Sequence, residues 1–200
     1  MANVNSLADD RTAVPAPSRT SRAAIVRAAA ETLEAEGLHG LTMQSVAARV
    51  GVRPPSLYKH VDGRDALVRL VAEAAVGDLI ALLAAAAPED SEPRGALHAA
   101  AAALRTFGKD RPGAFRLIFS PGPPSTRPGP DVALLAVAPV LRIATELAGP
   151  DDALEAARTI TAWASGFIAM EIAGAFGLGG DVDRAFDYGT ARIADALSRR

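Results

Sequence analysis

The chain has 200 residues, half of them apolar but only 4% aromatic, no cysteine, and a formal net charge of −2. That length allows one domain, or a small one joined to a medium one, with enough chain to bury a core. The lack of cysteine excludes disulfide frameworks, thiolate metal sites and cysteine nucleophiles. Alanine, the strongest helix former, leucine and valine dominate the apolar set, so composition predicts an all-α protein. A mean hydropathy of +0.16 fits neither a disordered chain nor a membrane-embedded one. The first residues, MANVNSLADDRT, have no basic segment followed by an apolar one. The most apolar stretches are broken by Glu73, Asp78, Pro139 and Arg142. None supplies the roughly 18–20 apolar residues of a span, so the expected location is the cytoplasm, with no membrane partner.

Residues 1–18, polar and containing Pro15 and Pro17, read as a disordered tail. Helix one follows, with Ser18, Thr20 and Ser21 as candidate caps and Gly37 as its stop. Its period near 3.6 puts Ile25, Ala28, Ala29, Thr32 and Leu33 on one face. Thr42 caps a short helix, MQSVAARV, that ends at Gly51, and Pro54 sits in the first turn of a second, PPSLYKH. Asp62 or Gly63 opens a long fourth helix that Pro88 ends. Further helices are expected at 95–110, 112–119, 131–149 (bent at Pro139), 151–176 and from Asp181 or Asp183 to Leu197. PGPPSTRPGP, at 121–130, has too many prolines for regular structure. The total is about nine helices.

Residues 42–61 have the form of a helix-turn-helix: two short helices around a tight glycine turn. Val46, Ala47, Val50, Val52, Leu57 and Val61 can form its core, leaving Arg53, Pro55, Ser56, Tyr58, Lys59 and His60 outward. A helix presenting those side chains suits a DNA major groove flanked by phosphates. Between Arg19 and Arg64 seven cations face four acids, a local +3 in a chain of −2. That asymmetry fits a DNA-reading head on an acidic body.

LTMQSVAARVGVRPPSLYKHVDGRDALVRLV resembles the N-terminal DNA-binding domain of the TetR family of transcriptional regulators over about residues 20–70. Val61 and Arg64 depart from the family's usual phenylalanine and lysine but keep the chemical type, and Leu33 replaces a frequent phenylalanine. The resemblance implies a head at 19–65 and, at 66–198, a C-terminal domain that binds an effector and dimerises. It also implies a homodimer on a palindromic double-stranded operator, with repression more expected than activation. Carried over by position, Thr42, Tyr58, His60 and Arg64 are phosphate contacts, while Arg53, Pro55, Ser56 and Lys59 face base edges. TAWASGFIAMEIAGAFGLGGDVDRAFDYGTARIADAL resembles the WHG type of C-terminal domain through Trp163, Gly166 and Phe186, with Ser165 in the histidine position.

In the body, Phe107, Phe115, Phe119, Leu135, Trp163, Phe167 and Met170 are candidate walls of an effector pocket. Arg105, Arg116, Glu171 and Ser165 are its polar groups, and 121–130 is a candidate gate. Such a site favours a mainly hydrophobic effector. For Trp163, Phe167 and Met170, core packing is the more economical reading. Ala157, Ala164, Ile168, Phe186 and Ile193 are candidates for a dimer interface on the last two helices. His98 reads as a partly buried histidine, and Glu146, Asp151, Asp152 and Glu155 as helix-end charge rather than a metal site. With no phosphate loop, paired metal-binding histidines or nucleophile elbow, no enzyme, cofactor or metal is expected. A helical interaction protein without DNA binding is the remaining alternative.

Overall fold

The computed structural model describes residues 21–120 and 122–198. The tail expected at 1–18, and Ser18 and Thr20 as caps, lie outside them. The protein is all-α, with nine α-helices and one short 3₁₀ helix among the described residues.

α1 (Arg22–Gly40) begins at Ser21, whose hydroxyl accepts the Ala24 amide at 3.2 Å. It breaks at Gly37, where φ is +70°. Ile25, Ala28, Ala29, Thr32 and Leu33 are its buried face, as the periodicity predicts. α2 (Met43–Val50) begins with a reciprocal cap: Thr42 Oγ1 accepts the Ser45 amide, and Ser45 Oγ accepts the Thr42 amide, each at 3.0 Å. It stops at Gly51, whose φ of +80° disfavours a residue with Cβ. α3 (Pro54–Leu57) is a single turn. It is shorter than the expected PPSLYKH because Tyr58–His60 form a hydrogen-bonded turn, with the His60 and Val61 amides both donating to Leu57 O.

α4 (Arg64–Ala86) joins this bundle to the rest. α5 (Pro93–Asp110) starts at Glu92, whose carboxylate accepts the Arg94 and Gly95 amides. α6 (Pro112–Phe119), α7 (Pro130–Ala148, running through Pro139), α8 (Ala153–Ile172) and α9 (Val182–Leu197) complete the body. α8 ends four residues earlier than expected, before the Gly174 turn at φ +66°. No single described helix is long and apolar enough to cross a membrane.

The proline-rich segment is not wholly irregular. Pro124–Thr126 form the 3₁₀ helix, and the segment is strapped along the head-proximal half of α4. Ser125 Oγ donates to Asp65 Oδ2 at 2.7 Å, and the Gly129 amide to Glu73 Oε1 at 3.3 Å.

Three apolar clusters organise the core. The first unites α1–α3 with Leu67, Val68, Val71 and Ala72 of α4, and takes in Leu117 of α6. The head's core therefore does not end at the expected boundary near residue 65. The second joins α5, α7, α8 and α9 around Ile143, Leu147 and Ile160. The third is aromatic and lies between α4, α5, α6, α8 and α9.

Candidate nucleic-acid interface and effector cluster

The outward side of the helix-turn-helix is built on one anchor. Leu57 is 0% exposed, locked into the first cluster with Val46, Ala47 and Val61, while Val50 and Val52 pack at its margin. Anchoring Leu57 inward turns its neighbours outward. Arg53, Pro55, Lys59 and His60 are exposed, Tyr58 is 56% exposed, and Ser56 is half-buried. These are the six residues that the sequence turns outward, five of them exposed. Thr42, also exposed, stands at the N-terminus of α2. Its hydroxyl oxygen is engaged with Ser45, whose own hydroxyl donates to Gly40 O at 2.7 Å. Ser45 was not singled out from the sequence; the T-x-x-S spacing is the signal that would have found it.

Two of the head's cations have structural partners. Arg49 Nε donates to Thr32 Oγ1 at 3.1 Å, and its Nη1 lies 3.5 Å from Glu31, so it ties α2 to α1. Arg64 is half-buried, and its guanidinium donates to the carbonyls of Leu41 and Leu38 at 2.8 and 2.6 Å. Beside His60, an open groove of about 310 Å³ is bordered by Arg22 and Arg69, with Asp62 and Glu73 on its walls. Arg69, on α4, reaches the head surface only through the fold.

In the body, Phe107, Phe115, Phe119, Trp163 and Phe167 all join the third cluster. Trp163 stacks on Phe186 with centroids 5.3 Å apart, and Phe167 meets the same ring edge-on at 5.2 Å. Arg105 lies over Phe186 at 4.9 Å and forms a two-pronged ion pair with Glu171, Nε and Nη2 donating at 2.7 and 2.6 Å. With side chains 12% and 15% exposed, this pair is largely buried. Asp183 and Lys109 complete the network at 2.6 and 3.4 Å. The Arg105 hydrogen bond holds the Glu171 carboxyl below its ordinary range, and the same bond raises the guanidinium pKa further.

Other expected wall residues lie elsewhere. Met170 is 48% and Leu135 61% exposed, because each sits on the outer side of its helix. Arg116 faces solvent for the same reason. Ser165 is half-buried, its hydroxyl 3.4 Å from Ala162 O. His98 is exposed rather than partly buried, 3.5 Å from Asp187.

Residues 25–71 match the family described as "Bacterial regulatory proteins, tetR family", and residues 97–193 match "Tetracyclin repressor-like, C-terminal domain". The chain belongs to the TetR family. It is therefore a DNA-binding transcriptional regulator, not an enzyme. The chain is 29% identical over 193 residues to the uncharacterised HTH-type transcriptional regulator Rv0681 of Mycobacterium tuberculosis, covering 94% of this chain and 86% of that one. Over 57 residues it is 40% identical to the tetracycline repressor protein class C of Escherichia coli, covering 28% and 26% of the two chains. A protein of unknown function from Rhodococcus sp. RHA1 superposes with a TM-score of 0.76 at 26% identity, covering 89% and 95%.

The TetR-family head and body meet directly at α6. Glu34, on α1, accepts the Gly113 and Ala114 amides at 2.8 Å each, capping α6 from the neighbouring helix. A Cβ at Gly113 would lie 2.9 Å from Leu33 O, so only glycine permits this approach.

The residues expected at the dimer interface of this regulator also have protomer roles. Ala157, Ala164, Ile168 and Phe186 are buried in their own chain, and Ile193 packs against the second cluster. They form core because α5 and α7 cover that side of α8 and α9. The exposed side of α8 carries Leu154, Arg158, Ala162, Gly166 and Ala169.

Proposed function

We propose that this TetR-family regulator is a cytoplasmic homodimeric repressor that binds a palindromic operator and leaves it when a mainly hydrophobic effector enters the body. The observation that carries the reading is the recognition surface: a buried Leu57 beneath exposed Arg53, Pro55, Tyr58, Lys59 and His60. Thr42, Tyr58 and His60 meet phosphates, while Arg53, Pro55, Ser56 and Lys59 read bases. A relative that is a repressor by name, the tetracycline repressor class C, supports the sign of regulation. Dimerisation uses the outer faces of α8 and α9, and twofold symmetry in the protein implies a palindromic site.

The effector site lies at the aromatic cluster of Phe107, Phe115, Phe119, Trp163 and Phe167. Its polar element is the Arg105–Glu171 pair, which is already internally neutralised and favours an apolar ligand over a polyanion. The WHG-type reading of the C-terminal domain rests on Trp163, Gly166 and Phe186. An effector acts by preferring the arrangement in which the two heads no longer fit successive major grooves.

Selection of duplexes from a random pool by the purified protein tests this. The expected product is an inverted repeat whose binding weakens steeply with salt. Enrichment of no sequence would remove the operator reading.

A further inference from the structure

We propose that Arg64 is a positioning residue, whose guanidinium ties the first turn of α4 to the α1–α2 corner and so sets how the recognition unit is presented. This rests on the DNA-binding reading of the head and replaces the phosphate contact that the residue's position in the sequence suggests.

The geometry carries the assignment. Arg64 is the first residue of α4. Its Nε donates to Leu41 O at 2.8 Å and its Nη2 to Leu38 O at 2.6 Å. Both carbonyls lie beyond the Gly37 break, where a helix end leaves acceptors that need a donor from outside. Leu41 is buried and immediately precedes Thr42, the exposed cap of α2. Holding Leu41 O therefore holds the N-terminus of α2, and through Val46 and Leu57 the turn of α3. A planar guanidinium spans two carbonyls with two fixed N–H bonds; an ammonium is a point donor and does not reproduce the fork. At the other end of α4, Arg142 Nη2 donates to Ala87 O at 2.8 Å. Arginine thus secures both ends of the helix that joins head and body.

The test separates the tie from a phosphate contact through salt. Each phosphate neutralised contributes roughly 0.9 to the slope of log K against log salt. The probe is the duplex most enriched by the wild type from a random pool, at a temperature where circular dichroism shows every variant folded. Arg64→Lys and Arg64→Ala are both expected to bind about tenfold more weakly at every salt concentration, with the wild-type slope. Wild-type affinity in Arg64→Lys, or a slope lowered by about 0.9 in Arg64→Ala, overturns the proposal. The free protein provides a DNA-independent arm. Amide exchange across residues 40–46 is expected to speed up in both variants, and unchanged exchange in both overturns the tie. A wild type that enriches no duplex counts against the DNA-binding reading, and the exchange arm then decides the tie by itself.

Discussion

Arg53 stands directly before Pro54, as the N-cap of α3 with no side-chain bond to the helix. Its long side chain is exposed and free to reach a base edge. Replacing it with alanine is expected to flatten preference at one base position per half-site by roughly 1–3 kcal/mol, read by sequencing duplexes selected by each protein. Tyr58→Ala should instead weaken good and poor sites alike, because a phosphate contact positions without reading. Gly51 makes a different demand. At φ +80° a side chain costs about 1–2 kcal/mol, so Gly51→Ala should lower the urea midpoint before any effect on DNA is considered.

Between helices, carboxylates do much of the joining. Glu171 on α8 is paired with Arg105 on α5, and that bond depresses its pKa below the ordinary 4.5. A depressed carboxyl stabilises the fold fully above its ordinary value and loses that contribution as pH falls through the folded-state value. Glu171→Gln should therefore cost about 1.5–3 kcal/mol at pH 7, with the gap to wild type closing in urea titrations below pH 4.5. Glu34 bridges α1 to the start of α6. Glu34→Ala leaves two amides without their acceptor, and a loss of about 1–2 kcal/mol is expected. Amide exchange at Gly113 and Ala114 should rise selectively; exchange unchanged at those two residues would show that the cap does not hold the α1–α6 junction.

For the whole molecule, the sharpest expectation is assembly. A stable homodimer needs roughly 2,000 Å² or more of buried surface, and the outer face of α8 is the exposed surface on which to look for it. A charge at Ala164 or Ile168 would disrupt the protomer itself, since both are buried. Gly166 is the cleaner position, because a Cβ there meets nothing within 4 Å. Sedimentation is expected to give twice the 20.5 kDa chain mass for wild type and the single mass for Gly166→Glu, which should also lose operator binding. A Gly166→Glu protein that remains dimeric would place the interface elsewhere.

The helices, and the side of the helix-turn-helix that turns outward, are legible from residue order alone, because both depend on local rules. A cap at Thr42, a left-handed glycine at 51, a proline at the start of α3 and a period of 3.6 act within a few residues. They specify which side of the helix-turn-helix is buried. The inward face of α1 and the Leu57 anchor were legible for the same reason. Which apolar stripe meets its own chain depends instead on how the helices pack. Met170 and Phe167 share an apolar stretch of α8, yet Phe167 packs against Phe186 and Met170 faces outward, because the other helices cover one side of α8 only. Tertiary structure also gave Arg64 and Glu34 their partners, 23 and 79 residues away along the chain. Contacts at such separations follow from how helices cross, which no local periodicity encodes.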